Sequence, residues 1–161
     1  GARPYYERAL AIRERVLGPE HPDTAQSLNN LGALLQAQGD LAGARPYTER
    51  ALAIRERVLG PEHPDTAGSL NNLGLLLQAQ GDLAGARPYY ERAMAIDEKV
   101  LGQEHPDTAI DYINLGTLQV TLGEIEAGRA LLERAARVFA AKLGPNHPYT
   151  RIALQHLTAL P

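Results

Sequence analysis

The sequence predicts an all-α solenoid of about eight helices, on two observations. Four histidines lie 42 residues apart, and the surrounding residues repeat with them: His21, His63, His105 and His147. A fixed period of roughly 20–50 residues is typical of stacked, near-identical supersecondary units. Alanine and leucine dominate the composition, whereas β-branched residues are few, and this mix favours helices over strands.

The copies indicate that residues 1–161 form a single solenoid fragment. We expect a partial repeat, three full repeats and a partial C-terminal helix, with the boundaries 1–22, 23–64, 65–106, 107–148 and 149–161. Because the chain starts inside a repeat and without Met, we take it as a fragment of a longer protein. Each full repeat is predicted to contain a helix A, a tight turn, a helix B and a linker of the GPEHPD type.

Helix A of the first full repeat is predicted to begin after His21-Pro22. Asp23 is its predicted N-cap, and Gln26 completes a capping-box pattern. Apolar residues and one glycine then follow at the spacing of an amphipathic helix: Leu28, Leu31, Gly32 and Leu35. Gly39 is expected to end the helix in a left-handed turn.

Helix B is predicted to follow from about Leu41 to Leu59, capped by Asp40 and ended by Gly60-Pro61. Its inward face holds small residues such as Ala44 and Ala51. Pro46 lies inside this helix and cannot donate its backbone hydrogen bond, so we expect a kink or an irregular first turn there.

Composition excludes several functional classes. A net charge of −3 and a pI near 6.0 leave no basic stripe for nucleic acid. The absence of cysteine excludes disulfides and thiolate metal sites. No apolar run approaches the ~20 residues of a membrane span, and no signal peptide is evident. We therefore expect a cytoplasmic protein that binds neither membranes nor nucleic acid.

Catalytic and metal chemistry also find little support. Each histidine lies in its own linker, a whole helix pair from the next, whereas zinc needs its ligands about 2 Å from one centre. No GxxxxGK[ST] string is present for phosphate, and nucleophile–base pairs are not evident. The sequence predicts no enzyme activity, no metal and no cofactor.

These repeats resemble the tetratricopeptide repeat. Its pattern of a large apolar residue, Leu-Gly, a turn glycine and small helix B residues is matched by Leu28, Leu31, Gly32, Leu35, Gly39, Ala44 and Ala51. The 42-residue period exceeds the ordinary 34, and with ERALAI, LGPEHPDTA and LNNLG it resembles the kinesin-light-chain subtype. The resemblance implies a right-handed solenoid that binds a protein or an extended peptide in a concave groove lined by the A helices. The composition looks bacterial.

The predicted groove lies about 100° around helix A from the core stripe. Its residues are Asn29, Asn30, Gln36, Asn71, Asn72, Leu75, Gln78, Ile113, Asn114 and Thr117. Asn30, Asn72 and Asn114 recur at the repeat period, and an amide side chain can donate to and accept from a peptide backbone; the resemblance implies this role for them. The corresponding positions lack the cationic pair with which chaperone-binding relatives hold a C-terminal carboxylate, so that ligand is not expected.

Three alternatives stay open. The asparagines could serve only to satisfy neighbouring helices. The array could be a structural or sensor arm of a multidomain nucleotide-switch protein, with its partner elsewhere in the same chain. Fragments could also associate head to tail, because the first helix copies an internal one and leaves an apolar flank open.

Overall fold

The computed structural model describes all of residues 1–161 and contains eight α-helices and no strand. The helices are α1 (Arg3–Leu17), α2 (Pro22–Ala37), α3 (Leu41–Val58), α4 (Pro64–Ala79), α5 (Leu83–Val100), α6 (Pro106–Thr121), α7 (Ile125–Leu143) and α8 (Pro148–Thr158). The even-numbered helices are the predicted A helices and the odd-numbered ones the B helices. The all-α solenoid of helix-turn-helix repeats is therefore confirmed.

Each A helix is capped by a histidine, not by the predicted aspartate. His21 Nδ1 accepts a hydrogen bond from the backbone N–H of Asp23 at 3.1 Å, and His63, His105 and His147 cap their helices in the same way. Because proline is well suited to the first helical position, Pro22 starts the helix and residue 21 becomes the cap. The predicted Asp23 cap and Gln26 capping box are both wrong.

The turn between helices A and B forms as predicted. Gly39 has a φ of 82°, which a side chain would strain, and Asp40 Oδ1 accepts a hydrogen bond from the N–H of Gly43 at 2.9 Å. Helix α3 continues through Pro46 to Val58. Pro46 and Ala42, whose carbonyl would receive the missing bond, are both exposed, so water can satisfy that carbonyl.

Helix A and helix B of one repeat pack closely at a glycine. An added Cβ on Gly74 would lie 2.6 Å from Cε1 of Tyr90, and Tyr90 is fully buried. At Gly32 the facing side chain is Thr48, again with 2.6 Å to the nearest atom. The buried leucines and alanines of both helices form a core that runs from α1 to α6, and a second cluster joins α6, α7 and α8.

Successive repeats meet mainly where helix B of one repeat packs against helix A of the next, α3 on α4 and α5 on α6. Helix α2 also contacts α4 and α4 contacts α6, whereas successive B helices make no comparably close contact. Ion pairs between long side chains bridge successive B helices instead. Arg50 contacts Glu14 at 2.7 Å, and Arg92–Glu56 and Arg134–Glu98 are the corresponding pairs in the next two repeats. Because the A helices lie closer together, they form the inner side of the stack.

The two ends of the array expose apolar residues that internal copies bury. Ile12 on α1 is 44% exposed, whereas its copy Ile54 is 1% exposed. At the other end Leu154 on α8 is 47% exposed, whereas Leu70 is fully buried. Separately, none of the eight helices has the length and apolarity needed to cross a bilayer.

We predict opposite effects for two alanine substitutions in α4. Gly74→Ala should lower the free energy of unfolding by about 1–3 kcal/mol, because the new methyl group overlaps the ring of buried Tyr90. Gly68→Ala should raise it by up to about 1 kcal/mol, since the nearest atom is 3.8 Å away and alanine favours the helix. Urea denaturation of both variants checks this, and a stabilised Gly74→Ala would contradict the close-packing account.

Candidate functional site

A cavity lies on the inner side of the stack, against α2, α4 and α6. Its volume is about 410 Å³, and the ends of α3 and α5 contribute Arg55 and Asp97 to its wall. Half of the predicted groove residues line it: Asn29, Asn71, Asn72, Leu75 and Asn114. Half of the stripe chosen from helical geometry therefore lies along one cavity, and the other half lies outside it.

The asparagines fall into two groups. Asn29 donates to Ser69 Oγ at 2.9 Å, and Asn71 donates to Asp111 Oδ1 at 2.5 Å, so both tie one A helix to the next. Asn72 and Asn114 make no side-chain hydrogen bond within the chain and remain half-exposed on the cavity wall. These two amides are free to meet a ligand.

Asn30 lies beyond this cavity. It is exposed and accepts a hydrogen bond from Gln26 Nε2 at 2.8 Å, while its own amide N–H groups are unused. It lines a smaller hollow beside Tyr5 and Tyr6 of α1. The predicted row of three asparagines thus continues along the inner surface, but in separate hollows.

The remaining predicted residues are mostly engaged by the protein itself. Gln36 donates to the Leu75 carbonyl at 3.4 Å, and Gln78 accepts from the Tyr90 hydroxyl at 3.0 Å. Thr117 donates to the Ile113 carbonyl within its own helix. Ile113 packs against the C-terminal core instead of lining the cavity. Leu75 is the exception, because it is 40% exposed at the cavity edge.

A buried polar column behind the asparagines was missed by sequence reasoning. In the first two copies an arginine near the end of helix B reaches a serine on the next helix A. Arg13 donates to Ser27 Oγ at 2.8 Å, and Arg55 donates to Ser69 Oγ at 3.1 Å and to the Asp65 carbonyl at 2.8 Å. Burial lowers the pKa of Arg55, and the charge of Asp65 opposes that shift.

The residue types at these arginine and serine positions change in the next two copies of this column. Asp97 and Asp111 replace the arginine and the serine, and Phe139 and Ala153 replace them in the last copy. All four residues are buried. The signal that could have revealed these paired replacements is a comparison of residues that lie 42 apart in the sequence.

The two buried aspartates form an acid pair. Burial raises the pKa of Asp97 to about 6 and that of Asp111 to about 8. The hydrogen bond from Asn71 and, for Asp97, the charge of His105 oppose the rise, whereas Asp107 strengthens it. At neutral pH Asp111 keeps its proton and donates it to Asp97, so the pair carries about one negative charge, on the residue that lines the cavity.

Family models for the tetratricopeptide repeat match residues 1–57, 26–99 and 65–127, and a second such model matches residues 112–149. The chain belongs to the tetratricopeptide repeat family. No match was found among curated proteins.

Solved structures similar to this tetratricopeptide array refine its subtype. BtubC (BKLC) from P. vanneervenii is 32% identical with a TM-score of 0.77, and the alignment covers 91% of this chain but only 58% of that protein. A kinesin-light-chain-type protein of nearly identical TPR-like repeats from Podosopora anserina is 28% identical over 97% of this chain and 74% of its own, with a TM-score of 0.78.

The Yersinia enterocolitica type III secretion translocator chaperone SycD shares the fold, with 18% identity, a TM-score of 0.67, and coverage of 87% of this chain and 92% of that chaperone. Together the matches to family models and structures make this a tetratricopeptide array of the kinesin-light-chain-like type, a fold that serves as a protein-interaction scaffold.

We predict that the acid pair makes stability fall as pH rises. Because the folded pKa of Asp111 exceeds its ordinary value, the folded chain keeps a proton that the unfolded chain releases between about pH 4 and pH 8. Each retained proton lowers the free energy of unfolding by up to about 1.4 kcal/mol per pH unit. Asp111→Asn, which mimics the protonated acid, should remove this loss.

Urea denaturation of the parent chain and of Asp111→Asn at pH 6, 7 and 8 tests this. The variant should gain in relative stability with each step, since only the parent has a proton that the folded chain keeps and the unfolded chain releases. Parallel pH profiles for the two proteins would show that folded Asp111 does not retain its proton in this range.

Proposed function

We propose that this array is a protein- or peptide-binding scaffold whose ligand lies as an extended chain along α2, α4 and α6. The observation that carries the proposal is the pair Asn72 and Asn114, which lie one repeat apart on the wall of this cavity and whose side-chain amides make no hydrogen bond within the chain. A side-chain amide can donate to a peptide carbonyl and accept from a peptide N–H. Two such groups would fix an extended backbone without specifying its side chains.

The neighbours of these amides support the same use. Asn71 and Asn29 are engaged between helices, so the wall that carries Asn72 is held in place before a ligand arrives. Leu75 offers an exposed apolar contact beside Asn72. A site with few anchors suggests modest affinity, on the order of micromolar, or about −8 kcal/mol.

A peptide-library selection tests the proposal. We expect the parent chain to enrich a peptide motif, and the Asn30→Ala, Asn72→Ala, Asn114→Ala triple variant to lose binding to it, because the backbone contacts are removed. Asn146→Ala is the matched control, since Asn146 is an exposed asparagine in the last linker, away from the groove. Circular dichroism should show equal helicity in all three proteins.

Equal enrichment by the parent and the triple variant would contradict the role of the asparagines. No enrichment by the parent would favour a structural or sensor arm of a longer protein, a role for which no residue in the structure offers a direct sign. Cytoplasmic location, bacterial origin and the lack of enzyme activity stay predictions.

Self-assembly through the ends is a second candidate, favoured by the exposed Ile12 and Leu154. One obstacle is present. If α8 stacked on α1 of another copy, α1 would act as its helix B, with Tyr6 at the position of Tyr90. Thr158 would then occupy the position of Gly74, where a Cβ does not fit. The association should therefore be weak and imperfect.

We predict that Thr158→Gly strengthens head-to-tail association, because it restores the glycine that lets helix B approach. Sedimentation velocity at millimolar concentration should show a larger mass for this variant than for the parent chain. Adding Ile12→Glu should return it to a monomer. A clean monomer for both the parent and Thr158→Gly would rule out this mode of assembly.

A further inference from the structure

The main cavity exists because one repeat lacks a side chain that the preceding repeat has. Gln26 on α2 accepts a hydrogen bond from Arg55 Nη2 at 2.6 Å. One repeat later the corresponding residues are Gly68 and Asp97, and both line the cavity. The only atom within 4 Å of a Cβ built on Gly68 is Arg55 Nη1, at 3.8 Å. The space that a glutamine would fill is therefore open beside Asp97.

Asp97 lacks the hydrogen bonds that a buried carboxylate needs. It is only 4% exposed, its Oδ1 is buried with no partner, and no N–H group of the chain donates to its carboxylate. The proton of Asp111 can satisfy one of its roughly four lone-pair positions. Asn29, also nearly buried on this cavity, has a second unpartnered acceptor at Oδ1. Arg55 Nε is a buried donor without a partner on the same cavity, but the unpartnered acceptors outnumber it, and buried acceptors without donors are costly.

The charges around the cavity are mostly negative, which also favours a ligand that supplies hydrogen-bond donors. Asp65, Asp97 and Asp107 line it, against a single cation, Arg55. The two terminal nitrogens of Arg55 are already engaged by Gln26, Ser69 and a backbone carbonyl. The remaining negative charge is best met by a group that brings both positive charge and several N–H donors.

We propose that this cavity binds an arginine side chain of the partner peptide, with its guanidinium against Asp97. This inference rests on the proposed function, because the peptide backbone would lie beside Asn72 and Asn114. A planar guanidinium carries a positive charge and five N–H donors, so one group can donate to Asp97 and to further acceptors of the cavity wall. The volume of about 410 Å³ lies within the range of roughly 300–1,000 Å³ that is usual for ligand pockets.

The chain itself provides two matched variants. Gly68→Gln restores the residue of the preceding repeat and should fill the space beside Asp97. The double substitution Asp97→Arg with Asp111→Ser rebuilds the Arg55–Ser69 pair of that repeat and reverses the charge. Both replace a residue by one that the same position already holds elsewhere in the array, so retained helicity is expected and is checked by circular dichroism.

The experiment is an NMR titration of the ¹⁵N-labelled chain with three probes. Two are acetylated, amidated Gly-Ser peptides that differ only in a central arginine or citrulline, and the third is N-acetylarginine amide. Citrulline has the same shape without the charge. We expect the arginine peptide to shift the amide signals of Gly68 and Asn72 in a saturable way and to bind at least about tenfold more tightly than the citrulline peptide. Gly68→Gln and the double variant should each lose this preference.

The probes separate this inference from the groove proposal. If both peptides bind equally and the triple asparagine variant binds neither, the groove stands and the arginine site is overturned. If N-acetylarginine amide shifts Gly68 but the peptides gain nothing from their backbone, the cavity stands and the groove proposal fails. Absence of any saturable shift at Gly68 with the arginine probes, or an unchanged preference in Gly68→Gln, overturns the arginine site.

Discussion

Close approach of helix A to helix B at a glycine is the constraint on which the rest of the structure depends. At Gly74 the backbone of α4 meets the ring of Tyr90 so closely that even one methyl group has no room. This contact fixes the distance within each helix pair. Stacked pairs then share a core of leucine and alanine, and the A helices come together on the inner side. An inner surface with a fixed repeat spacing is a consequence of that packing.

Because the repeat supplies the packing, other positions are free to vary between copies. The buried column behind the groove holds Arg55 with Ser69 in one repeat and Asp97 with Asp111 in the next. Both pairs are buried in the same frame, yet one is basic and the other acidic. The loss of a glutamine at Gly68 opens the cavity in front of the acidic pair. The chemistry of the surface thus depends on departures from the repeat rather than on the repeat itself.

The sequence was sufficient for the helices and their order, because a 42-residue period, turn glycines and apolar stripes are local signals. The prediction failed at the start of helix A, because Pro22 takes the first helical position and His21, not Asp23, is the cap. The predicted groove residues come together only in part. Helical geometry gives the stripe that Asn72 and Asn114 occupy, but Asn29 and Asn71 lie one residue away and face the next helix. Such a difference depends on the angle between packed helices, which no single helix encodes.

The central claim is that the inner surface of the A helices is where this array meets its partner. The most direct test is an amide chemical-shift map of the chain with a peptide from the library selection. The account predicts shifts clustered on α2, α4 and α6 around Asn72 and Asn114, with the outer faces of the B helices unchanged. Shifts confined to the B helices, or to Ile12 and Leu154 at the ends, would contradict it.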